Sequence, residues 1–469
     1  MYKIDNTNKS STQRVLLLCF NELLKETKIE KFIKDNIRFK NNYLNIIGEK
    51  IFIKDNLFLA GWGKLSPYLA HSFAKLVGVN KIQKGLFISN RKTKTIKNVK
   101  FLKGSHPLPS LETFNSSYKM LNFLRSIDSD ANLVFLISGG GSSQFSIPAN
   151  DISFAEKKKI SERIITSGIQ PKVLNNIRKF ISNVKGGKLI KFLKVKKLFN
   201  IIVSDENQNL FHSIASGATI FQKWNFQKIH GEVNYLSSKK IISKKIKKKI
   251  IKLIKDREIY QKNNPIKEKL IFTKNNKKMI LNQKTADGKI FVKSQIIFNN
   301  LEFRKNLQKI IKKKTDNIVL LNKKFLFGDY EKNKNKILSQ VRKIKHKNFF
   351  IIFGTQIEIN TSKNKSKKIS KGGRIQHLCL DLASELKKER FINFEVSGIA
   401  SDGDDFLKNI GGATLSKESI SQYTPKNIDN YLKTFSSFDF HKKNKSLIFT
   451  KVPTENNVMD IIVLFVNKN

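Results

Sequence analysis

Leu133 to Ile137 is an unbroken apolar run that stops at Ser138 and gives way to Gly139-Gly140-Gly141 and then Ser142-Ser143. A continuous apolar run of this length reads as a strand buried on both faces of a parallel sheet. A glycine turn at its end lets backbone N–H groups approach a phosphate closely, although a plain strand-to-loop connection fits the same pattern. The punctuation recurs. Short strands are predicted at 43–47 and 51–60, the second running into Gly61-Trp62-Gly63-Lys64-Leu65-Ser66 ahead of a helix over 67–77. Residues 84–89 form a further strand, and Leu198 to Val203 another that ends at Ser204-Asp205. Apolar residues at helical spacing predict helices over 11–25 and 110–126, with a Lys-rich helix starting at Ile152. Strands alternating with helices through about residue 230 predict βαβ units and a doubly wound, Rossmann-like parallel sheet.

The most Lys-rich stretch, 237–275, reads as a surface helix followed by a polar connection near Asn263-Asn264-Pro265. The expected organisation is therefore an amino-terminal domain over 1–258 and a second α/β domain over 259–469. In the second, strands are predicted at 278–282, 290–298, 317–321, 348–353 and 393–400, with helices over 301–313 and 330–343 and a closing strand from Val458 to Val466.

Composition narrows the function classes. A chain of 469 residues with 39% hydrophobic positions and 36 Phe has material for two cores. No apolar run approaches the roughly 20 residues that span a bilayer, and Met1 to Lys9 lacks the apolar segment of a signal peptide. Cys19 and Cys379 are too few for a disulfide framework or a zinc site. A reduced, cytoplasmic compartment is the expectation. The net charge of +53 invites a nucleic-acid reading. However, the cations are almost all Lys, spread along the chain beside abundant Ile and Asn, and Arg, the bidentate phosphate reader, is scarce. That pattern fits compositional drift better than a nucleic-acid partner, and the charge then serves to attract small anionic substrates.

Several side chains carry candidate chemistry. Lys64 stands where a strand's carboxyl end meets a helix start, the usual ligand position in open α/β sheets; a solvated loop lysine fits there too. Arg178, Lys185 and Lys188 either hold an anion or form one solvated helix face. Asp205 ends a buried strand, where a carboxylate is costly without a cation, metal or donor nearby. His106, in a loop, is uninformative. A basic loop at 361–371 leads to Gly372-Gly373-Arg374, and Ser401-Asp402-Gly403-Asp404-Asp405 is an acidic cluster.

Taken together the motifs resemble the glycerate kinases whose carboxy-terminal half is called the MOFRL domain, over nearly the full length. The resemblance rests on Gly63-Lys64, Gly104-Ser105-His106-Pro107-Leu108-Pro109, Ser138-Gly139-Gly140-Gly141-Ser142, and Asn175-Asn176-Ile177-Arg178-Lys179 with Lys185-Gly186-Gly187-Lys188-Leu189. It continues through Ser204-Asp205, Ser216-Gly217-Ala218-Thr219, Gly372-Gly373-Arg374, the acidic cluster, and Pro453-Thr454 with Asn457-Val458 and Asp460. It implies ATP-dependent phosphorylation of D-glycerate, usually at the 2-hydroxyl, with Mg²⁺, in a cleft between the two domains. It assigns charge neutralisation to Lys64 and Arg374. Phosphate or substrate carboxylate would bind at Ser138, Gly139, Gly140, Gly141 and Ser142, with Arg178 and Lys185. Asp205 would orient or deprotonate the hydroxyl or hold the metal, with Asp402 and Asp405 as second candidates. A homodimer is compatible with this reading.

The chain also departs from the family pattern. Gln208-Asn209 stands for a Gly-Asp pair, Thr355 for Glu, Ile375 and His377 for Asn and Glu, Phe406 for Gly, and Lys451-Val452 and Glu455 for Thr-Gly and Gly. These changes raise an altered acceptor, or a catalytically impaired member that binds ligand for regulation, as alternatives. No Gly-x-Gly-x-x-Gly with a following acidic residue supports a nicotinamide enzyme.

Overall fold

The structure is a computed structural model that describes residues 2–4, 10–54, 56–166, 171–206, 208–265, 267–272, 279–285, 287–360, 371–451 and 454–469. Two compact units emerge: Ile29–Ile297, and a second that joins Met1–Lys28 to Phe298–Asn469.

The first unit is built on strands β1 (Leu57–Trp62), β2 (Ile82–Ser89), β3 (Val99–Lys103), β4 (Asn132–Ile137), β5 (Lys197–Val203), β6 (Lys267–Phe272), β7 (Met279–Lys284) and β8 (Phe291–Phe298). Their spatial order is β6-β7-β8-β5-β4-β1-β2-β3. Strands β1 to β5 run parallel in the order 3-2-1-4-5. The chain moves outward from β1 to β3, then returns through helix Leu111–Arg125 to place β4 on the other side of β1. That reversal makes the β1/β4 pair a topological switch point, beyond whose carboxyl ends open α/β sheets bind ligands. Leu133 to Leu136 are completely buried and Ile137 almost so, as the apolar run requires. A second cluster, from helices Phe154–Thr166, Pro171–Phe180, Phe226–Ser238 and Lys244–Asn263, packs around Ile177, Ile181, Ile250 and Ile254.

The expected domain boundary at 258/259 is corrected by β6, β7 and β8. These form an antiparallel meander, and β8 adds to β5 in the first sheet. Lys267–Phe272 escaped the sequence reading because it is an edge strand, and charged residues on an edge mask the apolar pattern while protecting it from other chains.

The second unit contains β9 (Ile318–Asp329), β10 (Asn348–Glu358), β11 (Phe391–Ala400), β12 (Ile410–Ser416), β13 (Leu447–Thr450) and β14 (Asp460–Lys468). With the short strand Tyr2–Ile4 at one edge, the order is Tyr2–Ile4, β13, β12, β11, β14, β10, β9. Only β9 and β10 pair in parallel; every other neighbouring pair is antiparallel. The α/β expectation therefore holds for both units, the second with a mixed sheet. Helix Arg374–Lys387 buries Ile375, Leu378, Leu382 and Leu386 in this unit's core. The first residues belong here as well: Tyr2 pairs with Thr450, and its hydroxyl donates to the Ala400 carbonyl at 2.8 Å.

Candidate active site

In the first unit, Trp62 lies opposite Ile137, so the residues that follow each strand meet. The Lys64 N–H donates to the Gly139 carbonyl at 2.8 Å, and the Leu65 N–H donates to Ser138 Oγ at 2.8 Å. Gly140 adopts a left-handed conformation, φ 78°. A β-carbon there would stand 3.1 Å from Lys64 Cγ and 3.2 Å from His106 Cδ2. The Lys64 side chain therefore crosses the bare face of Gly140, at the switch point of the sheet.

The glycine turn is held from behind. Ser142 Oγ shares a hydrogen bond of 2.8 Å with Ser216 Oγ, and the Ser142 carbonyl accepts from Lys185 Nζ. Gly186 and Gly187 donate their N–H groups to the Ser216 and Gly217 carbonyls at 3.0 and 2.8 Å. Segments 139–142, 185–189 and 216–218 are thus knitted into one support.

The solvated-face reading of the basic residues fails here. Lys185 is buried and braces the turn. Lys188 reaches the Phe180 carbonyl at 3.3 Å and also that of Ser182, buried Lys157 reaches the Ile147 carbonyl at 2.9 Å, and buried Lys179 reaches Gln222 Oε1 at 2.6 Å. Burial, reinforced by neighbouring cations, holds Lys157, Lys185 and Lys188 well below the usual lysine range: Lys185, Lys188 and Arg178 act on Lys157, Arg178 and Lys179 on Lys185, and Arg257, Lys191 and Lys185 on Lys188. Burial alone lowers Arg178 to about 10, and burial brings Lys179 down to about 7 against the opposing pull of Glu206.

Asp205 follows β5, the neighbour of β4, and is half-buried. Its neighbour Glu206 was missed by the sequence reading. Burial, then the charge of Asp205, pushes the Glu206 carboxyl up to about 7, and Lys179 partly offsets this. No motif signals Glu206; only the fold places it near Lys179.

The second unit holds Arg374, the first residue of helix Arg374–Lys387. Its Nε–H donates to Asp460 Oδ2 at 2.6 Å. Asp460 opens β14, opposite Thr355 on one side and Ala400 on the other. Burial raises its carboxyl to about 6, with Asp405 and Asp402 adding to the rise and Arg374 opposing it. Asp405 is buried and accepts from the Ile375 and Gln376 N–H groups at 3.2 and 2.9 Å and from Gln376 Nε2 at 3.0 Å. It is the cap of this helix, supplied from a distant loop. Asp402 is half-buried and accepts from the Asp404 N–H at 3.4 Å. The acidic cluster thus divides into one buried cap and two more accessible carboxylates.

The departures sort by burial. Thr355 and Ile375 are buried in this unit. His377 is also buried, stacked on Phe435 and edge-on to Tyr330; burial, with Lys334, pushes it down to about 4. Phe406 is 78% exposed in a left-handed conformation, φ 66°. In the first unit, Gln208 is exposed and Asn209 half-buried with φ 52°. Val452, Pro453 and most of the 361–371 loop lie outside the described residues. Among the described residues no group of three or more His, Cys, Asp or Glu side chains is arranged to hold a metal ion, and no helix is long and apolar enough to cross a membrane.

The model of a family described as a domain of unknown function, DUF4147, matches residues 15–255. The chain belongs to that family. The model of the MOFRL family matches residues 349–460, so the resemblance seen in the motifs is borne out in both halves. Among curated relatives, a protein named glycerate 2-kinase from Picrophilus torridus is 27% identical over 481 residues, covering 99% of this chain and 100% of that one. A glycerate 2-kinase from Sulfurisphaera tokodaii is 23% identical, covering 93% of this chain and 99% of its own length. A solved structure described as a glycerate kinase from Thermotoga maritima superposes with a TM-score of 0.73 at 19% identity, covering 97% of this chain and 99% of that one. The fold of that solved structure is thereby shared across nearly the whole length, in a divergent member.

Proposed function

We propose that the protein is an ATP-dependent kinase whose acceptor is D-glycerate, at its 2-hydroxyl, or a closely related small hydroxy acid. The observation that carries this reading is Lys64 lying across Gly140 at the topological switch point, in a chain of the DUF4147 family with full-length relatives named glycerate 2-kinase. Phosphoryl transfer asks the protein for positioning and charge neutralisation more than covalent help. Lys64 supplies a cation beside a turn whose glycines admit phosphate or carboxylate oxygens. Lys185, through Ser142, keeps that turn in place, and Arg178 adds positive potential behind it. Arg374, oriented by Asp460, carries the second neutralising role that the resemblance assigns.

Asp205 orients the acceptor hydroxyl or takes its proton. Its neighbour Glu206, poised near neutrality, is the alternative proton acceptor. Mg²⁺ in kinases needs only one or two carboxylates beside the phosphate oxygens, and the hard oxygen donors of Asp205 and Glu206 fit that demand. When bound, the ion would neutralise charge on the phosphate oxygens. Asp405, committed as a helix cap, is a positioning residue in this reading.

ADP release from the purified protein with ATP and Mg²⁺, with and without D-glycerate, tests the proposal. Stimulation by glycerate, with product NMR placing the phosphate on the 2-hydroxyl, is the expected result. Silence across a panel of small hydroxy acids, with binding still seen by calorimetry, would replace it with a ligand-binding role.

A further inference from the structure

A cavity of the first unit, about 360 Å³, lies away from Lys64 and the glycine turn. Three elements build it. The segment after Ile190 contributes Lys191 and Lys194, helix Lys244–Asn263 contributes Arg257 and Tyr260, and the β7–β8 hairpin contributes Lys284, Thr285, Asp287 and Lys289. Leu193, Phe221 and Ile290 give it an apolar floor. Its size is in the range of small-molecule sites, which combine an apolar lining with a few convergent polar groups.

The charge balance in this cavity is one-sided. Asp287 is its one carboxylate, and it is committed to Thr285 Oγ1 at 2.6 Å, the Lys289 N–H at 3.0 Å and Lys289 Nζ at 3.5 Å. Among the described residues none of Lys191, Lys194, Arg257 and Lys284 is paired with a carboxylate. Arg257 instead lies over the Tyr260 ring at 4.8 Å and donates to the Gly186 carbonyl at 3.0 Å, and Lys284 lies over Phe291 at 4.6 Å. Burial and the nearby charges of Arg257 and Arg125 hold Lys191 below its usual range, the response of a cation that an anion would relieve. Tyr260 is still 44% exposed, which leaves ring surface for a planar group.

We infer that this cavity binds a small organic phosphate with a planar ring, of the nucleoside monophosphate class, its phosphate among Lys191, Lys194, Arg257 and Lys284 and its ring on the Tyr260 and Phe221 side. The site is distinct from the proposed kinase centre and does not depend on that reading. It touches the support of the glycine turn through the hydrogen bond from Arg257 to Gly186 and through Phe221 beside Gly187.

Calorimetric titration of AMP into the full chain tests the inference, with Lys194→Glu/Lys284→Glu, the milder Lys194→Gln/Lys284→Gln and Lys64→Ala as variants. AMP should bind the wild type and Lys64→Ala within twofold of each other. Both double variants should weaken it, the charge reversal by roughly tenfold or more, with unchanged melting temperatures. Inorganic phosphate should bind much more weakly than AMP. Absence of AMP binding, loss of it in Lys64→Ala but not in the double variants, or equal binding of phosphate and AMP would each overturn the inference.

Discussion

Arg374 and Asp460 are 86 positions apart in the chain, yet the Arg374 Nε–H donates to the Asp460 carboxylate across 2.6 Å. The Arg374 side chain is 39% exposed and that of Asp460 only 3%, so the pair faces outward through its cation while its anion is fixed in the sheet. This is a geometry for holding a guanidinium in place rather than for stabilising the unit. Removing one partner of a buried pair leaves the other charge uncompensated.

Arg374→Ala should therefore lose turnover and also lower stability, by about 2 kcal/mol at pH 8 once the exposure of the arginine is allowed for. Adding Asp460→Asn should restore stability without restoring activity. Chemical denaturation and ADP-release assays on both variants check this. Recovery of turnover in the double variant would exclude the role assigned to Arg374.

Lys64 borders a turn rather than a core. Lys64→Ala is expected to lower kcat by roughly a hundredfold or more, the scale of losing one charge-stabilising donor, with the melting temperature nearly unchanged. Near wild-type turnover would remove Lys64 from the mechanism.

Gly373 cannot carry a side chain. A β-carbon there would meet the Asp405 Cγ and Oδ2 atoms at 2.1 Å. Gly373→Ala should displace the cap of helix Arg374–Lys387, and Asp405→Ala should leave the Ile375 and Gln376 donors without it. Each is expected to cost about 2–4 kcal/mol, measured by urea denaturation.

Glu206 sets a pH signature. Its carboxyl is raised in the folded state to about 7 from an ordinary value of 4.5. Its favourable contribution is present below pH 4.5, where both states are protonated, and is lost as pH rises through 7. Lys179, lowered to about 7, acts in the opposite sense, with stability regained between pH 7 and its ordinary 10.5. Glu206→Gln should flatten the fall between pH 4.5 and 7 and raise the melting temperature at pH 8. An unchanged pH–stability profile would contradict the burial of Glu206.

Phe406 holds a left-handed conformation, φ 66°, with 78% of its surface exposed. Phe406→Gly removes a strain of about 1 kcal/mol and little packing. Thermal unfolding is expected to show no loss of stability or a modest gain.

The buried strands and their glycine turns were legible in the chain, because a strand covered on both faces must be apolar throughout and a turn beneath a lysine side chain admits no β-carbon. Leu133–Ile137 with Gly140, and the strand that leads into Gly61-Trp62-Gly63-Lys64, are of this kind. What local pattern could not give is whatever depends on pairing across long separations. Residues 1–28 join the carboxy-terminal unit because Tyr2 pairs with Thr450, and β6 to β8 complete the first sheet through β8 and β5. The local pattern leaves Lys185 as either an anion ligand or part of a solvated helix face, and nothing in it singles out Lys179 or Glu206. Burial and proximity, which sequence does not encode locally, turn the lysines into supports and the glutamate into a group that titrates near neutrality.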